Sequence, residues 1–151
     1  MKQFSLLVVA VLLTITTAFS QIHNPVKWTV ATKKLNNKEA IVYIKATIQN
    51  GWHIYGQSVP SGGPIATTVA VKPTKAYTLN GKVVESVKPK SKYEEVFKMN
   101  VPYFNNEVVF QQKINLLSKV PVKVTGEVEF MACDKSQCLP PDIYEFTVTI
   151  K

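Results

Sequence analysis

Apolar and polar residues alternate along most of this chain. Val26, Trp28 and Val30 are separated by Lys27 and Thr29, and from Ala40 to Ile48 every even position is apolar while Tyr43, Lys45 and Thr47 fall among the odd ones. Val122, Val124, Val128, Phe130 and Ala132 give the clearest alternation, with Lys123, Glu127 and Glu129 on the other phase. A period of two is the signature of a strand with one face buried. Further short strands are predicted at residues 52–55, 67–71, 108–116 and 144–150. Between them lie turn signals. Asn50-Gly51 predicts a tight hairpin, Asn80-Gly81 a second turn, and Asn105-Asn106 a third. Residues 58–64 read as a Pro/Gly/Ser loop and residues 88–92 as a polar loop. Beyond residue 20 no stretch sustains a period of 3.6, so no helix is expected.

Seven or so short antiparallel strands in one domain imply an all-β fold, an immunoglobulin-like antiparallel β-sandwich. The first twenty residues stand apart. Lys2 precedes an apolar run over residues 6–15, and Ala18-Phe19-Ser20 places small residues where a signal peptidase cuts. Residues 1–20 are therefore expected to be a secretory signal, its apolar run too short and too early to serve as a mature anchor. Residues 21–151 form the domain. The chain is expected to be periplasmic or otherwise exported and soluble after cleavage, with no membrane insertion and no cysteine near the cut to carry a lipid.

Composition narrows the chemistry. Lys and Arg number 18 against 10 Asp and Glu, a formal charge of +8 over 151 residues. The lysines are scattered and lack aromatic interleaving, so they read as a solvated surface and not as a nucleic-acid interface. Two Cys and two His exclude a four-cysteine zinc site within one chain. No Gly-rich phosphate loop, Gly-x-Ser-x-Gly turn or paired-His helix is present.

What remains is Cys133-Asp134-Lys135-Ser136-Gln137-Cys138. The strand register puts Cys133 with Lys123, Glu127 and Glu129, pointing away from the core. Closing so short a loop stabilises a fold by only about 2 kcal/mol, so such a bond can open without disturbing the core. Pro140 and Pro141 cannot donate ladder hydrogen bonds, so the chain at Cys138 is expected to stand off the sheet and be reachable. Three readings are open: a redox-active pair; an inert hairpin disulfide in a structural or partner-binding domain; and a copper-binding module in which Met131 shares a face with Cys133.

The sequence resembles the amino-terminal domain of the thiol:disulfide interchange protein DsbD, the disulfide bond corrector domain. Three segments carry the resemblance: Gly51-Trp52-His53-Ile54-Tyr55, Tyr93-Glu94-Glu95-Val96-Phe97, and Phe130-Met131-Ala132-Cys133 through Cys138-Leu139-Pro140-Pro141. It implies a sandwich with an active-site hairpin and a cap loop, and protein-disulfide reductase chemistry without a cofactor or metal. Cys133 and Cys138 match the family's active pair. The resemblance assigns the mixed disulfide to Cys138 and resolution to Cys133. It also implies thioredoxin-like proteins as electron donor and acceptors, the acceptors being disulfide isomerases or cytochrome c maturation proteins. The sequence holds neither the membrane domain nor the thioredoxin-like domain of the full protein, so two expectations stand: work with separate partners, a membrane electron carrier among them, or loss of the relay role. Glu94, Glu95, Val96 and Phe97 match the cap loop, with Phe97 or Val96 as the lid and an ordinary buried role as the alternative for Phe97. Two aromatic positions beside the family's cysteines, commonly both tyrosine, read here as His53 and Tyr55. His53 is then either a surface strand residue or a proton donor whose charged form favours a nearby thiolate.

Overall fold

A computed structural model describes residues 24–151; the expected secretory signal lies outside the described residues. The chain forms β1 (Val26–Lys34), β2 (Glu39–Ile48), β3 (His53–Tyr55), β4 (Thr68–Val71), β5 (Tyr77–Glu85), β6 (Lys90–Glu94), β7 (Met99–Phe104), β8 (Glu107–Leu116), β9 (Val122–Phe130), β10 (Ala132–Cys133) and β11 (Asp142–Ile150). Among the described residues, no helix is long and apolar enough to cross a membrane.

All pairings are antiparallel and build three sheets, ordered β1-β2-β8-β5, β10-β3-β7-β6 and β11-β9-β4. The first sheet packs its inner face against the other two. Ala40, Val42, Ile44, Ala46 and Ile48 on β2 are buried, as their even spacing predicts, and so are Val108, Phe110 and Ile114 on β8. They meet Ile54, Phe104, Val124, Val128 and Phe130 in one cluster. Trp28 joins it, 5.2 Å from the Phe130 ring and 6.1 Å from Phe110. Each fully buried side chain of this size contributes about 1.5–3 kcal/mol, which fixes the register of every inward face. Gly126 is required where β4 and Phe146 press on β9: a Cβ there would lie 2.6 Å from the Ala70 carbonyl oxygen.

The turn signals are only partly realised. Asn50-Gly51 does turn, with Gly51 at φ +86° and the Trp52 amide donating to the Gln49 carbonyl. It joins strands of different sheets, however, so it is not a hairpin. Asn80-Gly81 is no turn between strands. It lies inside β5, where the register against β8 slips between Asn80 and Val84. Gly81 at φ +74° permits that bulge as readily as a turn, and the buried Gln112 amide donates to the Gly81 carbonyl at 3.3 Å. The expected polar loop over residues 88–92 is largely strand. β6 is a sheet edge whose inward positions, Lys92 and Glu94, are polar like their neighbours Lys90 and Ser91, so it carries no apolar alternation to read. Its partner β7 was also not foreseen.

Candidate redox site

β9 ends at Phe130, and past Met131 the chain crosses to the neighbouring sheet. There Ala132 pairs with Ile54 and Cys133 with His53. The alternation survives the crossing: Ala132 and Ile54 face the main core, Cys133 and Tyr55 the opposite side. That opposite side is not solvent, which corrects the expected outward position of Cys133. Tyr55, Val101 and Cys133 form a second cluster, covered by Val59, Met99, Tyr103 and Met131. Cys133 is only 1% exposed. β6 and β7, absent from the sequence reading, supply much of the cover.

Cys133 and Cys138 form a disulfide across the mouth of the loop. Asp134 shapes that loop, its Oδ1 accepting from the amides of Ser136 at 2.6 Å and Gln137 at 2.8 Å. This is the turn chemistry of an aspartate, and it was available from the sequence. Cys138 is exposed. The chain there is less detached than the prolines suggested: the Leu139 amide still donates to the Ala132 carbonyl at 2.9 Å. Departure from the sheet begins at Pro140. The two sulfurs thus differ sharply in access.

A polar network surrounds the shielded sulfur. The Tyr55 hydroxyl lies 3.1 Å from Glu94 Oε1 and 3.3 Å from Cys133 Sγ. Lys92 Nζ sits 2.8 Å from the same Glu94 oxygen. Burial alone pushes the Glu94 carboxyl up, but hydrogen bonding and charge from Lys92, with lesser help from Tyr55 and His53, bring it below its ordinary value. Burial, reinforced by Glu94, raises the Tyr55 phenol, so it stays protonated and can donate.

His53 is not the surface residue that its type suggested. It is 6% exposed, with its ring edge-on to Tyr55 and Tyr103. Nε2 lies 3.7 Å from Glu94 Oε1, beyond hydrogen-bond reach, and is without a hydrogen-bond partner among the described residues. Burial above all, then the Lys92 charge, lowers its pKa to about 4 against the pull of Glu94 and Asp134. His53 is therefore neutral at neutral pH, and the expected attraction of a thiolate by an imidazolium is corrected on that ground.

Glu94 closes β6, and Glu95, Val96 and Phe97 make the turn into β7. Glu95 and Val96 are exposed, Val96 at 86%. Phe97 is half-buried, its amide bonded to the Glu94 carbonyl, and it joins neither buried cluster. Of the residues around the pair, sequence reasoning missed Lys92, Met99, Val101 and Tyr103, all on the two strands it did not recognise. Among the described residues, no three His, Cys, Asp or Glu side chains converge as metal ligands.

Residues 24–150 match the family described as thiol:disulfide interchange protein DsbD, N-terminal. The chain belongs to this family. Solved structures of similar fold include the reduced DsbD amino-terminal domain of Neisseria meningitidis, at 18% identity over 80% of this chain and 83% of that one, TM-score 0.50. The amino-terminal periplasmic domain of ScsB from Proteus mirabilis aligns at 14% identity over 83% of this chain and 47% of that one, TM-score 0.62. The complex between the DsbD and PilB amino-terminal domains of N. meningitidis aligns at 16% identity over 87% and 93%, TM-score 0.53. No curated protein matches the chain. The fold is the immunoglobulin-like sandwich of DsbD amino-terminal domains. Within it, Cys133 and Cys138 form a disulfide five residues apart.

Proposed function

We propose that this domain relays reducing equivalents in the periplasm, between a thioredoxin-like donor and acceptor proteins of the disulfide isomerase or cytochrome c maturation type. The observation that carries the reading is the unequal access of the two sulfurs, Cys138 exposed and Cys133 1% exposed. A donor thiolate attacks Cys138 Sγ, and Cys133 leaves as a thiolate beside the Tyr55 hydroxyl, which is placed to hydrogen-bond the departing charge. A second donor thiol then releases the mixed disulfide. In the forward direction the Cys138 thiolate attacks an acceptor disulfide, and Cys133 resolves it. Export through cleavage after Ser20 and a separate membrane carrier as electron source complete the proposal. It is supported by the solved complex in which a DsbD amino-terminal domain docks a PilB domain.

The midpoint potential of the pair tests this reading. An exchange pair equilibrated in glutathione or dithiothreitol buffers will titrate well above about −300 mV; an inert staple will lie below that value. The cap assignment has its own test. Phe97, half-buried where Val96 is open to solvent, is the better lid. Phe97→Ala will speed alkylation of the reduced thiols by a bulky maleimide. Unchanged alkylation together with a lower melting temperature would make Phe97 a packing residue.

A further inference from the structure

Two Asn-Gly pairs occur in the chain, and the fold treats them differently. Asn50-Gly51 forms the corner between β2 and β3, closed by the bond from the Trp52 amide to the Gln49 carbonyl. Both residues are exposed. Among the described residues, no hydrogen bond engages the Asn50 side chain or the Gly51 amide. A Cβ built on Gly51 would meet nothing within 4 Å. Asn80-Gly81 lies inside β5 instead. Asn80 pairs with Lys113, and its Nδ2 donates to Asn115 Oδ1 at 3.0 Å. The Gln112 amide donates to the Gly81 carbonyl at 3.3 Å.

In an Asn-Gly pair the glycine nitrogen can attack the side-chain carbonyl carbon of the asparagine. Glycine favours this closure because it puts no Cβ in the way and its backbone rotates freely. The attack needs two freedoms. The asparagine side chain must swing toward the next nitrogen, and that nitrogen must not be committed to a hydrogen bond. Asn50-Gly51 has both. Asn80 lacks the first, because Asn115 holds its side chain, and gains it only when β5 opens locally from β8.

We propose that Asn50 is a site of spontaneous conversion to aspartate and isoaspartate, and that the fold protects Asn80 from the same reaction. The Gly51 nitrogen gives its proton to a base in solution and bonds to Asn50 Cγ, ammonia leaves, and a succinimide ring closes. Water then opens the ring at either carbonyl. The net change is one water consumed and one ammonia released, with no oxidant or cofactor. The product matters because of where Asn50 stands. It lines a cleft of about 270 Å³ together with His53, Lys92, Asp134 and Lys135. Among these side chains two lysines face one carboxylate before the conversion and two carboxylates after it. Asp134 and Lys135 belong to the loop that the disulfide closes, so the new charge falls at the rim of that loop.

The test incubates the full chain, its disulfide intact, in mildly alkaline buffer, once folded and once in concentrated urea. Asn50 and Asn80 fall on different tryptic peptides, divided at Lys75, so the amide-to-acid mass gain of each is followed separately. In urea both pairs are free and convert at similar rates. In the folded chain Asn50 is expected to convert about tenfold faster than Asn80 or more, since a local opening that costs about 1.4 kcal/mol already slows Asn80 by that factor. Asn50→Gln abolishes the change at the first peptide and leaves the second as it was. A ratio near one in the folded chain overturns the inference. So does a folded chain in which neither pair converts while both do in urea.

Discussion

Cys133→Ala will accumulate a stable mixed disulfide with a thioredoxin-like partner, and Cys138→Ala will not. In the first variant the sulfur left behind is the exposed one. A partner sulfur reaches Cys138 without moving the sandwich, and with no second thiol nearby the adduct cannot resolve. In the second variant the remaining sulfur is Cys133, 1% exposed beneath Tyr55, Val101 and the residues that cover them. Attack there needs the β6–β7 cover to lift, so adduct formation is slow. Both substitutions remove the same cross-link. Their shared cost of about 2 kcal/mol for so short a loop therefore cannot produce a difference between them. Mixing each variant with a partner activated at its single cysteine, followed by a non-reducing gel, reads the outcome. The Cys133→Ala lane will carry most of the protein in the adduct band; the Cys138→Ala lane will show background. Equal trapping would reverse the assignment of roles, and absence of trapping in both would favour an inert disulfide.

The same asymmetry marks what the sequence could and could not reveal. The β2, β8 and β9 alternations were legible because each strand buries one face in a core that rewards period two. The cysteine pair was legible because nothing else in the chain carries comparable chemistry. The sheet edge β6 was not legible, since Lys90, Ser91 and Lys92 pay no penalty in water whichever way they point. Without β6 and β7, the second face of the Cys133 strand could only be read as solvent. That one omission accounts for the misplaced exposure of both Cys133 and His53, and for the absence of Lys92 and Tyr103 from the expected site. Gly81 misled for a different reason: a positive φ serves a bulge as well as a turn, and only Gln112, thirty-one residues on, distinguishes the two.

His53 will make the fold acid-sensitive in a window set by its own titration. Folded, its pKa is lowered to about 4 from an ordinary 6.5, chiefly by burial. Between those values the unfolded chain binds a proton that the native state refuses, so stability falls as pH drops from 6.5 toward 4 and recovers as it rises. The effect on stability is on the order of a few kcal/mol at most. The groups facing the imidazole act in both directions: Lys92 opposes protonation, Glu94 and Asp134 favour it, and the Tyr55 and Tyr103 rings exclude water. Glu94, whose own pKa is lowered, also withdraws stability as pH falls, but it begins below its ordinary value of 4.5 and does so in any variant that keeps it. His53→Phe keeps an aromatic ring between Tyr55 and Tyr103, removes the titration and removes a buried nitrogen without a hydrogen-bond partner among the described residues. Urea midpoints at pH 7, 5.5 and 4.5 will fall more steeply in the wild type than in His53→Phe, with the variant equal or more stable at pH 7 because an unsatisfied buried polar atom costs about 1–3 kcal/mol. Parallel curves for the two proteins would mean that the imidazole titrates as though exposed, and the buried position assigned to it would have to be abandoned.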